Sequence, residues 1–283
     1  MTRLDAEGCQ RWHRGRQRFR PTGETIDPDR HAVTAIDETA AKTFVLEHHY
    51  AASYPAARAR FGLWRKAPGR RDVLAGVAVF SVPMNQRAVP VHTGQPAHAG
   101  VELGRFVLLD AVEGMGESWF LARCLRTLPD ILPDVRAVVS YADPVARRAR
   151  FGELIKPGHL GTIYQAMSAT YRGRSSARIL WLAPDGSVLS GRMLSKLSTG
   201  ERGADHAYRE LRRHGAPQRR PMDTDDAYVR RALAEGPFTR LRHPGNHVYA
   251  FPAGAPAVRR AARRTLPQGL AYPAQPTAPE TAP

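Results

Sequence analysis

The chain has 283 residues, two cysteines and a net charge of +16. This length can bury a full hydrophobic core, and two cysteines exclude a disulfide framework or a cysteine-based zinc site. No segment reaches the roughly 18 apolar residues that span a bilayer, and no apolar signal segment follows the first charges, so we expect a cytoplasmic protein. Arginine supplies most of the positive charge. Because guanidinium groups bind phosphate oxygens in pairs, the charge predicts a polyanionic partner such as DNA.

The two ends of the chain differ in composition from its middle. Residues 1–30 contain a basic run with interleaved aromatic rings at 11–20, which predicts a flexible basic arm that orders on a polyanion; the alternative is a solvated terminus without a partner. Residues 253–283 are mainly Ala, Pro and Arg and predict a disordered tail. Residues 31–252 are then expected to form one catalytic domain that includes an arginine-rich C-terminal part at 184–252.

Apolar periodicity predicts strands interrupted by helices. The predicted strands are 31–36, 61–64, 73–82, 101–109, 136–142, 161–167, 176–182 and 246–251, and the predicted helices are 38–49, 117–128, 205–214 and 223–235. The turn-rich segment 67–72 joins two of the strands as a hairpin. This order predicts an α+β or α/β domain with a mixed sheet.

Two adjacent histidines end the first predicted helix. His48 lies three residues after Val45 and four after Phe44, so it continues the apolar face of the helix. His49 is rotated by about 100 degrees from that face. We therefore expect the two side chains to have different roles, with His48 pointing inward.

A glycine-bearing loop precedes the helix at 117–128. Gly114 and Gly116 would let the backbone approach an anion, and Ser118 near the helix start could donate to a phosphate; a simple turn is the alternative. The layout resembles the acetyl-CoA-binding half of the GNAT acyltransferase fold, which implies acyl-CoA as a cofactor. Ala111 stands where that pattern usually has a polar residue.

Several short blocks, in order, resemble the Mom family of phage DNA-modification proteins, a GNAT-like group. The blocks are His-His-Tyr at 48–50, ELGRFVLLD at 102–110, GESWFL at 116–121, SYAD at 140–143, GHLGTIYQA at 158–166 and RHPGNHVY at 242–249. The resemblance implies conversion of adenine to N6-carbamoylmethyladenine in double-stranded DNA by a phage- or prophage-encoded enzyme. It also implies anti-restriction protection in the bacterial host and a small-molecule group donor.

Five residues inside or beside these blocks are candidates for catalysis, and the inward-pointing His48 is one of them. Asp143 follows a short apolar strand, where it could deprotonate an amine or cap a following helix. Arg105 alternates with Leu103 and Val107 in a strand and needs an anionic partner, either a structural carboxylate or a ligand. Tyr164 is a plausible general acid or a core aromatic residue, and Tyr50 could stack on a base rotated out of the duplex.

Other candidates concern the cofactor and a metal. Thr162 is expected on the same strand face as Tyr164 and joins the cofactor-binding candidates. His48 or His49, with Asp143 and His159, could supply the two-histidine, one-carboxylate set typical of non-haem iron; buried structural histidines are the alternative.

Arginines of the second half of the chain are the candidates for DNA contacts. They are Arg172, Arg174, Arg212, Arg213, Arg219 and Arg220. Two other functions remain open: an ordinary GNAT enzyme that acylates a small amine or a protein, and a DNA-binding protein without enzymatic activity. The sequence does not indicate an oligomeric state.

Overall fold

A computed structural model describes residues 10–13, 16–21, 23–51 and 53–273. The strands are β1 Gln10–His13, β2 Arg16–Phe19, β3 His31–Ala35, β4 Ala57–Arg65, β5 Val73–Ser81, β6 Gly100–Leu108, β7 Ala137–Ala142, β8 Arg147–Arg148, β9 Leu154–Lys156, β10 Thr170–Arg174, β11 Arg178–Leu182, β12 Val188–Leu189, β13 Thr239–His243 and β14 His247–Pro252. The α-helices are α1 Glu38–His48, α2 Ala88–Thr93, α3 Gly116–Ile131, α4 Thr162–Ala166, α5 Gly191–Ser198, α6 Ala204–Arg213, α7 Asp225–Glu235 and α8 Pro256–Arg263.

The chain divides into two compact units. The first unit comprises Met1–Pro144, His159–Arg174 and Asn246–Pro283, and the second comprises Val145–Gly158 and Ser175–Gly245. This division differs from the single domain that we expected at 31–252, because segments at 145–158 and 175–245 form a core of their own.

The first unit is built on a seven-stranded sheet with the order β10-β14-β7-β6-β5-β4-β3. Its neighbouring strands are antiparallel except for β6 and β7, which are parallel. This arrangement confirms the expected mixed sheet. It also confirms the predicted hairpin, which consists of β4 and β5, and the predicted closing strand, which is β14.

The parallel pairing of β6 with β7 is short. It joins Gly100, Val101 and Glu102 to Ala137, Val138 and Val139, and it extends no further along either strand. The remainder of β6 pairs with β5, and the remainder of β7 pairs with β14. The two strands therefore separate in the middle of the sheet. We call the space between them, beyond Glu102 and Val139, the sheet gap.

A bulge in β6 decides which side chains border this gap. Ser81 pairs with Glu102 and Val79 pairs with Arg105, so β6 has one extra residue, Gly104, between its partners on β5. Residues three apart on a regular strand lie on opposite faces, but one inserted residue returns them to the same face. Glu102 and Arg105 therefore share a face. A Cβ atom on Gly104 would lie 2.5 Å from Ser81 Oγ, so the bulge needs glycine.

The bulge corrects our expectation about the neighbours of Arg105. Val107 lies on the same face as Arg105, as expected, but Leu103 faces the opposite side together with its partner Phe80. Regular alternation predicted otherwise, because a sequence pattern does not reveal a bulge.

Helices cover both faces of the sheet. On one face α3 packs through Phe120 and Leu125 against Phe80, and on the other face α1 packs through Phe44 and Val45 against the valines of β5. The Asp37 side chain accepts a hydrogen bond from Ala40 N at 2.8 Å, which confirms it as the cap of α1.

The predicted strand at 161–167 is wrong, because residues Thr162–Ala166 form the short helix α4. Gly161 has a φ of +77°, a left-handed conformation that interrupts extended backbone, and Tyr164 N donates to Gly161 O at 2.8 Å to begin the turn. The sequence analysis also did not predict the helices α2, α5 and α8 or the strands β1, β2, β8, β9, β10, β12 and β13.

The N-terminal arm is partly ordered. Its strands β1 and β2 pair as a hairpin, and the buried Arg11 donates to the backbone oxygens of Leu109, Val112 and Glu113 and to the carboxylate of Glu117. Our prediction of a flexible arm is therefore wrong for the residues of this hairpin. Carbonyl and carboxylate groups of the first unit already accept the hydrogen bonds of the Arg11 guanidinium. Residues 1–9 lie outside the described part of the chain.

The predicted tail also begins too early. After Pro252, Gly254 N donates to Leu125 O at 2.7 Å, and Leu270 N donates to Tyr171 O at 2.9 Å. The Tyr272 hydroxyl donates to Ala169 O at 2.8 Å. Hydrogen bonds to α3, to β10 and to the residue before β10 thus hold a segment that is poor in large apolar residues. Residues 274–283 of the predicted tail lie outside the described part.

The second unit contains the strands β8, β9, β11, β12 and β13 and the helices α5, α6 and α7. Its core includes Leu197, Leu211 and Tyr228. The predicted helices at 205–214 and 223–235 are confirmed as α6 and α7. In the described part of both units, no helix is long and apolar enough to cross a membrane.

The ion pair of Arg11 with Glu117 should contribute measurably to the stability of the first unit. Replacing Arg11 by Ala leaves Glu117 and three backbone oxygens without their donor, so we expect the free energy of unfolding to fall by about 3 kcal/mol. Urea denaturation followed by tryptophan fluorescence measures this change.

Arg18→Ala is the matched control in the same hairpin. Its ion pair with Asp110, at 3.2 Å, joins side chains that are 52% and 33% exposed, so its loss should cost about 0.5 kcal/mol or less. Equal losses for the two variants would contradict the structural role given to Arg11.

Candidate active site

Side chains from both faces of the first unit's sheet interact electrostatically at the sheet gap. Tyr164 of α4 interacts with Tyr50, which follows α1, and with Glu102 of β6. Arg105 interacts with the same Tyr50 and Glu102. Because β6 and β7 separate here, groups on opposite faces can reach one another through the sheet. The gap therefore brings together four polar side chains from two elements, β6 and α4, and one loop.

Tyr164 is the most deeply buried member of this group. Its side chain packs against Tyr249 and Phe251, and the residue is 7% exposed. Burial raises the pKa of the phenol to about 12, although a hydrogen bond with Ser140 lowers it in part. The hydroxyl consequently stays protonated at neutral pH, and the side chain is suited to donate a proton rather than to accept one.

Glu102 supplies a carboxyl group beside Tyr164. Burial raises the pKa of Glu102, whereas the backbone N–H of Met84, at 3.4 Å from Oε2, and the charge of Arg105 lower it in part. A carboxylate with a raised pKa is a stronger base than an exposed one. The sequence analysis quoted Glu102 within a block but gave it no role, because the bulge that places Glu102 and Arg105 on one face is visible only in the structure.

Arg105 holds the segment after α1 against β6. Its Nε donates to Ser53 O at 2.8 Å, and its Nη2 donates to Ser53 Oγ at 2.6 Å. Burial lowers the pKa of the guanidinium, while Tyr50 and Glu102 raise it. Arg105 therefore forms no ion pair with Glu102, whose carboxyl attracts it only over a longer distance, and its hydrogen bonds to Ser53 fix the loop that carries Tyr50.

The two histidines before Tyr50 occupy different environments, as expected. The ring of His48 contacts Phe44 edge to face, with a centroid distance of 4.6 Å, and so continues the apolar face of α1. His49 lies just beyond the end of α1; its Nδ1 accepts from Ala51 N at 3.1 Å, and its ring stacks on Tyr50 at 4.3 Å. His49 thereby orients the Tyr50 ring.

The residues present do not fit the iron site that the sequence allowed. Within the described ranges, no group of three or more His, Cys, Asp or Glu side chains is arranged to hold a metal ion. The ring of His48 contacts Phe44 whereas that of His49 stacks on Tyr50, and His159 is exposed. The two-histidine, one-carboxylate set is thus not assembled, and no step below depends on a metal.

The glycine-bearing loop also fails to provide the expected anion site. Gly114 N already donates to the Glu24 carboxylate at 2.7 Å, and Gly116 N donates to Glu113 O at 3.3 Å. The Ser118 hydroxyl donates to Met115 O at 3.0 Å. The donors proposed for the phosphates of acyl-CoA are therefore used within the first unit, and the residues of this loop do not fit that group.

Thr162 is not a neighbour of the Tyr164 hydroxyl. On α4 the two residues are about 200 degrees apart around the helix axis, and Thr162 is exposed whereas Tyr164 is buried. Our expectation that they share a face is wrong, because it assumed a strand.

Asp143 follows β7, as predicted, and is half-buried. Its backbone oxygen accepts a hydrogen bond from His159 N at 2.9 Å. The alternative role as a helix cap is wrong, since the next element along the described chain is a strand. A catalytic role of Asp143 stays a prediction.

The side chain of Tyr249 anchors the loop before α4. The Tyr249 hydroxyl donates to Leu160 O and accepts from Gln165 Nε2 at 3.1 Å. A Cβ atom on Gly161 would lie 2.7 Å from the Tyr164 ring and 2.8 Å from the Tyr249 ring. This close packing fixes the position of Tyr164 at the gap.

Most of the arginines proposed for DNA contacts have partners within their own unit. Arg212 donates to Ala216 O, and Arg172 donates to Gln268 O. Three others form ion pairs: Arg213 with Glu210, Arg219 with Asp225 and Arg220 with Glu235. Arg174 interacts with Tyr171 and His247. Contacts of these residues with DNA stay a prediction.

Gly161→Ala should displace Tyr164. A left-handed φ costs a non-glycine residue about 1–2 kcal/mol, and here the added methyl group also clashes with two buried rings. We expect a fall of about 3 kcal/mol or more in the free energy of unfolding, measured by urea denaturation.

Gly69→Ala is its control, because Gly69 has a φ of +72° but no heavy atom within 4 Å of the added Cβ. It should show the backbone cost alone, about 1–2 kcal/mol. The packing role of Gly161 would be contradicted by equal losses in the two variants.

Comparisons with solved structures find only limited similarity. A dodecameric spermidine N-acetyltransferase from Vibrio cholerae is 13% identical, with 52% of this chain and 82% of that chain covered and a TM-score of 0.31. A Vibrio cholerae spermidine/spermine N-acetyltransferase in complex with manganese ions gives the same values. A tandem GNAT protein from the clavulanic acid biosynthesis pathway is 9% identical, with 79% and 74% covered and a TM-score of 0.34. TM-scores of this size carry no argument about activity.

The comparison with protein families is more informative. No curated protein matches the sequence. The model of the Mom protein family matches residues 30–223, a span that exceeds half of the chain and contains Tyr50, Glu102, Arg105 and Tyr164. This chain belongs to the Mom protein family.

Proposed function

We propose that the protein is a DNA-modifying transferase that converts adenine to N6-carbamoylmethyladenine in double-stranded DNA. The observation that carries the proposal is the sheet gap within the family match, where a protonated phenol and a carboxyl of raised pKa interact. The modified base would protect the DNA from restriction nucleases in the cytoplasm of a bacterial host.

The reaction requires a proton to leave the amine as a new bond forms. The adenine N6 lone pair is delocalised into the ring, so the amine is a poor nucleophile until a base removes its proton. In the proposed step the N6–CH2 bond forms, the bond between this methylene and its leaving group breaks, and the N6 proton passes to a carboxylate. Glu102 is our candidate for this base, and Asp143 at the end of β7 is the second candidate.

Tyr164 is the candidate for the opposite task. A leaving group that departs with the bonding electrons is stabilised when it receives a proton. The phenol of Tyr164, with its pKa of about 12, holds a proton at neutral pH and interacts with Glu102 across the gap. The donor is a small molecule that carries the carbamoylmethyl group, bound by contacts other than the loop at Gly114.

The adenine must leave the duplex to reach the gap. Rotating a base out of the stack costs a few kcal/mol, which an aromatic surface can offset in part. Tyr50 is our candidate for this role, and the stacking of His49 on its ring and the hydrogen bond of Arg105 to the following segment support the proposal. His48 supports the end of the helix from which this loop departs.

Nucleoside mass spectrometry tests the proposed function. DNA from cells that express the protein should contain an adenosine heavier by the carbamoylmethyl group. Tyr164→Phe and Glu102→Gln should each lower the modified fraction about a hundredfold, since general acid or base catalysis contributes roughly 10²–10⁴-fold.

Tyr208→Phe is the matched control, because it removes a tyrosine hydroxyl group that lies outside the gap. Tyr208 packs against Tyr228 in the second unit, so this variant should modify DNA as the unchanged protein does. Unmodified adenosine in cells with abundant folded protein would refute the proposed function. Full modification by Tyr164→Phe would refute the role of the phenol. CoA-dependent acylation of an amine, independent of DNA, would favour an ordinary acyltransferase instead.

A further inference from the structure

The C-terminal helix α8 carries a concentrated positive charge without acidic neighbours in sequence. Arg259, Arg260 and Arg263 lie in α8, and Arg264 follows it directly. Between Glu235 and Glu280 the sequence has no Asp or Glu. The charge of this helix is therefore not balanced by its own segment.

Carboxylates from elsewhere in the described part of the chain do not pair with these exposed arginines either. Arg260, Arg263 and Arg264 are exposed, and none of them forms an ion pair within the part of the chain that the structure describes. Arg259 and Arg263, like Arg260 and Arg264, are four residues apart, a spacing at which like charges destabilise a helix. Burial and the charge of Arg263 lower the pKa of Arg259. An anionic partner would offset this repulsion.

Several arginines of the second unit differ in this respect, because each forms an ion pair with a nearby acid. Arg192 pairs with Glu201 at 2.7 Å, and Arg230 pairs with Asp226 at 3.0 Å. Arg213 likewise pairs with Glu210, and Arg219 pairs with Asp225. A phosphate that approaches these groups must compete with a carboxylate that is already present, whereas α8 offers uncompensated charge.

α8 also lies on the same side of the first unit's sheet as Tyr164. Arg259 lines a cavity of about 410 Å³ together with Ser118 and Trp119 of α3 and Ser168. Ser168 follows the last residue of α4, the helix that carries Tyr164, by two positions. Arg259 and the C-terminal end of α4 thus line the same cavity.

We propose that α8, with Arg264, is a binding surface for the phosphate backbone of double-stranded DNA and holds the duplex beside the sheet gap. The inference rests on the proposed function only in taking DNA as the substrate. Guanidinium groups bind phosphate oxygens bidentately, and release of counterions from the duplex drives such binding. The helix lies outside residues 30–223, so the family match does not include it.

The salt dependence of DNA binding tests this surface. We would measure the affinity of the full chain for a fluorescent duplex between about 0.05 and 0.2 M salt, a range over which phosphate contacts change affinity strongly. In Arg260→Gln/Arg264→Gln the slope of log K against log salt should become shallower by about 1–2, because each lost phosphate contact removes about 0.9. The dissociation constant at about 0.1 M salt should rise at least tenfold.

Arg192→Gln/Arg230→Gln is the matched control, with the same loss of two exposed charges. Because these arginines are paired with acids, its slope should change by less than about half of the change in the α8 variant. Thermal melting of both variants checks that they are folded. Equal slopes for the two variants would overturn the assignment of α8.

Nucleoside mass spectrometry of the same proteins separates this inference from the proposed function. If the unchanged protein modifies adenine and the α8 variant binds DNA with unchanged affinity and slope, the inference fails while the proposed function stands. If the unchanged protein neither binds nor modifies DNA, both fail. Weaker binding by the α8 variant, with modification restored at high DNA concentration, supports the surface.

Discussion

The early separation of β6 from β7 is the constraint on which the candidate site depends. Pairing stops after Glu102 and Val139, so the sheet is open in its middle. In a continuous sheet, the side chains of each face would contact only the layer that covers that face. The bulge at Gly104 then turns Arg105 to the face of Glu102. Without the separation, the phenol of Tyr164 and the carboxyl of Glu102 would lie on opposite sides of a closed sheet, and without the bulge Arg105 would face away from Glu102.

The N-terminal arm and the glycine-bearing loop form a second, structural polar site. Arg11 satisfies the backbone oxygens of this loop, and Glu24, held by Arg20, accepts the N–H of Gly114. The segment that resembles a phosphate-binding loop thereby binds a carboxylate of its own chain. This arrangement explains how a sequence with glycines before a helix can keep the outline of an anion site without presenting it to a cofactor.

Much of the fold followed from the sequence, but the site followed only in part. Apolar periodicity predicted α1, α3 and every strand of the seven-stranded sheet except β10, since burial on one face imposes a regular repeat. The position of Arg105, the helix at Tyr164 and the role of Glu102 were not predictable in this way. They depend on an inserted residue at Gly104 and on a left-handed glycine, Gly161, and such local departures leave no periodic signal. The net charge of the sequence also did not show which of the arginines that we assigned to DNA pair with acids in the folded protein.

The central claim is that an adenine base reaches Glu102 and Tyr164 through the sheet gap. The most direct measurement is a crystal structure of the protein bound to a DNA duplex that contains its target adenine. The account predicts the base rotated out of the stack, with its N6 atom within hydrogen-bonding distance of the Glu102 carboxylate and with the Tyr164 hydroxyl beside it. A base bound elsewhere, with β6 and β7 closed together over the gap, would contradict the account.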